Sequence, residues 1–280
     1  MMQREGGRRA SWLAMAVLLA AVRAGTQVAS IPAGMTAKTV MDTMAYNEQA
    51  SREHKNDYTY MSQERSERTG GRLWTERVVE TKDAHVRRLL AVDGVPLSPQ
   101  QDAAERARLA DIVKDPKTFL KREAERRDDE LHALQMIQLL DKAFVFENMH
   151  MDGQYLSIDF KPNPDYSSSG MEEHVMHAMT GHVLIDPKVM RLHRVEARLP
   201  EDVTFGFGLL ATVRAGTNFV SERNPVDAGE WKTMLIETHM DGRALFFHTL
   251  SKNEQAVHNE FQRVPNDMTL EQAVARAEQQ

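Results

Sequence analysis

The run from Thr180 to Thr249 most constrains what this chain can fold into. Turn residues punctuate it at Asp186-Pro187, Ala215-Gly216, Asp227-Ala228-Gly229 and Asp241-Gly242. From Leu192 to Leu199 the residues alternate. Val195, Ala197 and Leu199 fall on one face, and Arg194, Glu196 and Arg198 on the other. Period-two alternation broken by turns every ~8–12 residues is the pattern of consecutive antiparallel strands. Val203, Phe205, Phe207 and Leu209 continue the apolar side. Gly206 and Gly208 leave the opposite side bare, which permits close approach or strong curvature. Further strands are expected at 182–185, 219–220, 231–240, 244–250 and 256–264.

The earlier chain extends the same reading. Residues 36–54 place Val40 with Met44, and Met41 with Ala45, at i,i+4, one apolar stripe of a helix. Strands are expected at Tyr58-Thr59-Tyr60, 74–80, 86–92, 144–146 and 155–160, with turns at Gly70-Gly71, Asp93-Gly94 and Asp152-Gly153. In the 74–80 strand Glu76 and Glu80 interrupt the face of Trp74 and Val78, so it reads as an edge strand or one that rolls out of the core. Ser98-Pro99-Gln100-Gln101 is a helix start, with a capping serine, proline at the first position and a capping-box glutamine. Asp115-Pro116 restarts the helix. Residues 98–142 hold ten acids and nine bases, the composition of an exposed helical insertion rather than a basic tail. Only Leu131, Leu134, Ile137 and Leu140 give it a packing stripe. Residues 161–170 read as a loop, 171–179 as a short helical turn, and the tail from Thr269 as a short helix.

Composition excludes several function classes. With no cysteine there are no disulfides, thiolate metal sites or thiol nucleophiles. The net charge of −6 argues against nucleic-acid partners. A 41% hydrophobic fraction in 280 residues can bury one large core. Arg4, Arg8 and Arg9 precede the apolar run Trp12–Val22, the signature of an export signal spanning residues 1–24, with an uncleaved anchor as the competing reading. Cleavage after Ala24 or after Ser30 fits the small residues there. Residues 25–35 then form a linker, 36–265 a single domain containing the 98–142 insertion, and 266–280 a C-terminal tail.

No catalytic constellation emerges, and no motif implies a cofactor. Asp128-Asp129 and Glu201-Asp202 lie on charged faces or turns, whereas general acid–base chemistry needs a desolvated carboxyl. Ser167-Ser168-Ser169 lacks a nucleophile elbow. His174, His177 and His182, with Glu172 and Glu173 nearby, are the densest set of potential metal ligands. They lack a recognised metal-binding spacing, and a polar surface turn is the competing reading. Phe205, Phe207, Leu209, Phe219, Trp231, Met234, Ile236 and Phe246 are candidate ligand-cavity residues, with ordinary core as the alternative. Phe246 and Phe247 are neighbours and point to opposite faces of a strand, so both faces of that sheet need cover. Seventeen methionines suit either an adaptable pocket or a core.

Two stretches carry a family resemblance. The first is the Tyr-Thr-Tyr strand, Gly-Gly hairpin and Arg-Arg-Leu-Leu-Ala-Val-Asp-Gly-Val-Pro-Leu-Ser within residues 58–98. The second is GHVLIDPKVMRLHRVEARL followed by FGFGLL, RAGTNF and GRALFF within 181–247. Together they resemble exported proteins of acidobacterial type and, more remotely, the periplasmic lipoprotein-carrier superfamily, which also includes an envelope-stress sensor. The resemblance implies an α+β fold: an unclosed, strongly curved antiparallel half-barrel with helices on its concave side and a cavity for acyl chains. The long charged insertion departs from that pattern. The expected function is therefore non-enzymatic: a periplasmic protein holding a lipid or lipoprotein acyl chain, gated by the 36–54 helix. The alternatives are an envelope sensor or scaffold acting through protein contacts, and a metal-dependent enzyme using the His174/His177/His182 cluster.

Overall fold

The computed structural model describes residues 34–53, 55–124, 139–207, 210–227, 229–244, 248–249 and 252–279. The expected export signal over 1–24, most of the expected linker, Leu131, Leu134, Ile137, Leu209, Phe246 and Phe247 lie outside them.

The chain opens on helix α1 (Ala37–Glu53) and then runs through β1 (Tyr58–Arg65), β2 (Trp74–Glu80), β3 (His85–Val92) and the short β4 (Val95–Pro96). Helix α2 (Pro99–Lys114) follows, and residues 116–124 are helical too. After α3 (Leu140–Ala143) come β5 (Phe144–Asp152), β6 (Tyr155–Pro162), α4 (Met171–His177), β7 (Thr180–Asp186) and β8 (Arg191–Arg198). The rest comprises β9 (Val203–Phe205), β10 (Ala211–Val213), β11 (Asn218–Asp227), β12 (Glu230–Met240), β13 (Gly242–Ala244), β14 (His248–Thr249), β15 (Lys252–Arg263) and α5 (Leu270–Glu278).

Eleven strands form one antiparallel sheet in the order β4-β3-β2-β1-β15-β12-β11-β8-β7-β6-β5. The short β4 and the longer β5 are its edges, so the sheet is unclosed. In its interior β1 pairs with β15, which joins the first and last long strands of the sheet in chain order. Two excursions from the sheet, β9–β10 and β13–β14, pair with each other through β10 and β13 to make a small four-stranded sheet.

Cross-strand partners share a face, and the registers carry one face across the large sheet. Val183 lies opposite Val195, Val195 opposite Ser221, and Ser221 opposite Ile236. The row continues through Ala256 and Glu64 to Trp74. On this face Val40, Met41 and Met44 of α1 pack on Leu156, Ile158, Phe160, Val183 and Ile185. Val79 points the other way. There, with Val86, it packs against Leu109 and Ile112 of α2 and Ala273, Val274 and Ala277 of α5. Two arginines tie the layer down. Arg77 donates to the Ala277 carbonyl, and Arg88 to the Glu278 carbonyl and to Asp102.

Helices therefore cover both faces, which corrects the expectation of helices on one side only. The physical reason is that α2 has its own apolar stripe in Leu109 and Ile112, and the 266–280 segment carries a second in Ala273, Val274 and Ala277. Both helices begin as read, with capping boxes at Ser98–Gln101 and Thr269–Gln272. The charge pattern hid the stripe: Glu105 is buried because it accepts the Leu89 N–H and pairs with Arg108. Of the charged insertion, residues 125–138 lie outside the described residues.

Two further expectations change. Strand β2 is interior and not an edge, and Glu76 and Glu80 are buried. They are tolerated because Arg68 bridges Glu76 and Glu64, and Lys232 pairs with Glu80 at 2.7 Å. The apolar row that starts at Val203 leaves the strand after Phe205. Strand β9 ends at Phe205, because Gly206 and Phe207 both adopt positive φ, and Phe207 is fully exposed. A side chain at Gly206 would strike Leu210, so this glycine makes a tight turn and not a bend in a long strand.

Gly181 on β7 is the closest approach in the large sheet. A Cβ there would sit 1.9 Å from the Glu196 carbonyl oxygen and 2.8 Å from the Phe160 ring. Gly181→Ala should cost about 1–3 kcal/mol by overpacking against backbone that cannot yield. Gly170→Ala, with nothing within 4 Å, meets no overpacking and should cost about 1 kcal/mol or less, from exchanging an N-cap glycine for a poorer cap. Urea titration of both variants checks this contrast.

Candidate functional site

Between α1, α4 and the large sheet lies a cavity of about 890 Å³, within the usual range for small-molecule sites. Its sheet side is Val183 of β7, Val195 and Ala197 of β8, Phe219, Ser221 and Arg223 of β11, and Thr233 of β12. These positions follow from alternation: 195 and 197, and 219, 221 and 223, fall on the α1 face. Helix α4 contributes Met171 and Val175, at i and i+4 on one side of the helix, and Met179 beyond its end also lines the space. Phe144 and Phe160, edge to face at 5.1 Å, form a wall. Phe205 and Val213 reach it from the small sheet.

One end of the cavity is polar. Val40, Met44 and Glu48 lie along one stripe of α1, at 0, 2 and 6% exposure, so the stripe carries a carboxylate into the interior. Glu48 accepts from Arg191 Nε at 2.8 Å and Nη2 at 3.3 Å, from the Leu192 N–H at 3.1 Å, and from Arg223 Nη1. Burial by itself would raise this carboxyl. The hydrogen bonds and charge of Arg191 and Arg223 outweigh it and hold Glu48 below its ordinary value. Arg191 is further engaged by Ser51 Oγ and the Gly229 carbonyl, and its guanidinium lies 5.9 Å from the Trp231 ring. Arg223 also donates to the Trp231 carbonyl. The cluster joins α1 to β8 and β11 and sits where the apolar lining ends.

The sequence-derived candidates divide. Phe205 and Phe219 line the cavity. Trp231 is buried beside Arg191, outside the lining, and Met234 and Ile236 are half-buried next to the lining residue Thr233. Phe207 faces solvent because of its turn, and Leu209 and Phe246 lie outside the described residues.

The three histidines do not converge. His174 Nδ1 is 2.8 Å from Ser168 Oγ, His177 Nε2 is 3.0 Å from the Asn163 carbonyl oxygen, and His182 is 3.9 Å from Glu196. Among the described residues no group of three or more histidine or carboxylate side chains is placed to hold a metal. Helix α4 is the cause. It ends at His177, and His182 falls on a strand beyond the turn, paired across to Glu196.

Sequence reasoning missed Glu48, Arg191 and Arg223. A usable signal existed for two of them. Glu48 is four residues beyond Met44, and Arg223 shares the parity of Phe219. Comparison with protein-family models, curated proteins and solved structures finds no match.

Glu48 and the buried Glu64, also held low by its Arg68 and Ser66 hydrogen bonds against the effect of burial, set an acid limit. Their folded values are depressed, so the stability they contribute is present above the ordinary value of 4.5 and is lost as pH falls through the folded values. The unfolding free energy should therefore drop steadily below about pH 4.5, with a shallower drop in Glu48→Gln. At neutral pH that variant should be destabilised by about 3–5 kcal/mol, because two guanidiniums lose their shared partner. Denaturant titrations from about pH 7 to about pH 3 test both statements.

Proposed function

We propose that this chain is a non-enzymatic binding protein, exported to the periplasm, that holds a lipid or lipoprotein acyl chain in the cavity beside α1. The observation that carries the reading is the cavity itself: about 890 Å³, lined mainly by aliphatic, aromatic and methionine side chains. Water in such a space has few polar partners, whereas an alkyl chain buries its methylenes at about 0.8 kcal/mol each. Methionines at 44, 171, 176, 179 and 240 give walls that adapt to a flexible chain.

On this reading the eleven-stranded sheet is the curved half-barrel of the lipoprotein-carrier superfamily that the sequence resembles, and α1 is the helix across its opening. The basic and apolar N-terminal run supplies export, and the absence of cysteine suits an oxidising compartment.

Purified, delipidated protein should bind straight-chain amphiphiles, and each added methylene should strengthen binding by up to about 0.8 kcal/mol until the cavity is full. Ala197→Trp, which projects an indole into the lining, should weaken binding at least tenfold while the protein stays folded by circular dichroism. Isothermal titration calorimetry reads the affinities, and native mass spectrometry of the purified protein reads any retained lipid. No retained lipid together with no binding at any chain length would remove the proposal.

A further inference from the structure

The charged end of the cavity bears on which amphiphile it takes. Glu48 is one carboxylate between two guanidiniums, so the cluster carries one positive charge more than its anion balances. The two arginines are not equivalent. Arg191 is about as buried as Glu48, makes four hydrogen bonds to Glu48, Ser51 and Gly229, and does not line the cavity. Arg223 does line it, and its side chain is 20% exposed. A guanidinium carries five N–H donors. Among the described residues Arg223 spends two of its own, on Glu48 and on the Trp231 carbonyl.

A cation with unspent donors at the end of an apolar cavity is costly unless an anion meets it. Glu48 cannot supply more, since its two oxygens already accept from Arg191, Arg223 and the Leu192 N–H. The acids nearest Arg223 along its own strand and β8 do not help. Glu222 and Glu196 pair with Arg194 on the opposite face. The two remaining charged lining residues, Arg52 and Glu172, are opposite in sign. Ser221 and Thr233, the neighbours of Arg223 on its own strand and across, also line the cavity and offer hydroxyls beside it.

We propose that Arg223, with Ser221 and Thr233 beside it, binds the carboxylate headgroup of a single-chain amphiphile whose alkyl tail occupies the apolar part of the cavity. Planar guanidinium and carboxylate match in a two-point hydrogen-bonded pair, and the partly buried setting strengthens it. Arg191 and Glu48 act as the support that fixes the Arg223 side chain. The inference rests on the binding function proposed above and narrows it to a ligand class.

Decanoate, 1-decanol and decylamine, titrated calorimetrically into the delipidated protein at about pH 8, separate the two proposals. Decanoate should bind at least tenfold more tightly than decanol, and decylamine should bind weakest. Arg223→Gln should abolish the preference for decanoate over decanol, while Arg223→Lys should keep part of it. Raising salt should weaken decanoate and leave decanol unaffected. Equal affinity of wild-type protein for acid and alcohol would overturn the headgroup assignment while leaving the binding function standing. That comparison needs no variant, so a folding defect in Arg223→Gln cannot obscure it. Failure of all three to bind would overturn both.

Discussion

The molecule is governed by the need to cover both faces of one unclosed sheet. Val79 and Val86 point to one side, and Ile158, Val183 and Ile185 to the other. Leaving either row in water forfeits about 1.5–3 kcal/mol per large aliphatic side chain. The chain meets this with helices from opposite ends of the sequence. Helix α1 lies on one face against β5 and β8, and α5 lies with α2 on the other against β2 and β3. Pairing β1 with β15 places the first and last long strands side by side in the sheet's interior, within reach of these positions. The cavity is then the part of the α1 face that one helix is too narrow to cover. Helix α4 and the small sheet close around it and do not fill it.

How legible this was depends on what each signal reports. Alternation and turn residues located the strands well, because both are set by local backbone geometry. Leu192–Leu199 and the hairpins at Asp152-Gly153 and Asp186-Pro187 are cases in point. Capping signals were equally local, and Ser98 and Thr269 start helices as read. Strand order was not legible. The pairing of β1 with β15 spans nearly the whole domain, and nothing in either strand names its partner. The face a helix takes was hidden for the same reason. The charged surroundings of Leu109 and Ile112 looked like a solvated excursion until Arg88, Asp102, Glu105 and Arg108 were seen to satisfy one another against the sheet.

The candidate site divided along the same line. An apolar residue in a strand can be assigned to a face, but whether that face is filled or hollow depends on everything packed above it. Phe205 and Phe219 reach the cavity, while Trp231, from the same apolar set, is core beside Arg191. Phe207 was misread because alternation assumes that the strand continues. Two successive positive φ angles end it, and the ring turns out to solvent. Charged residues in the interior were hardest to foresee, since composition assigns them to the surface by default.

That default is informative about Glu48, Arg191 and Arg223. A buried ion cluster is seldom the most stable solution, because apolar residues of similar volume often serve as well or better. Where such a cluster holds two elements in register, its value lies in specificity: a one-turn slip of α1 along the sheet would strand Glu48 in an apolar environment. The cluster therefore fixes where the helix sits on β8 and β11, and with it the dimensions of the cavity it borders. Arg223 extends the same latch to β12 through the Trp231 carbonyl, and it is the arginine of the pair that also lines the cavity.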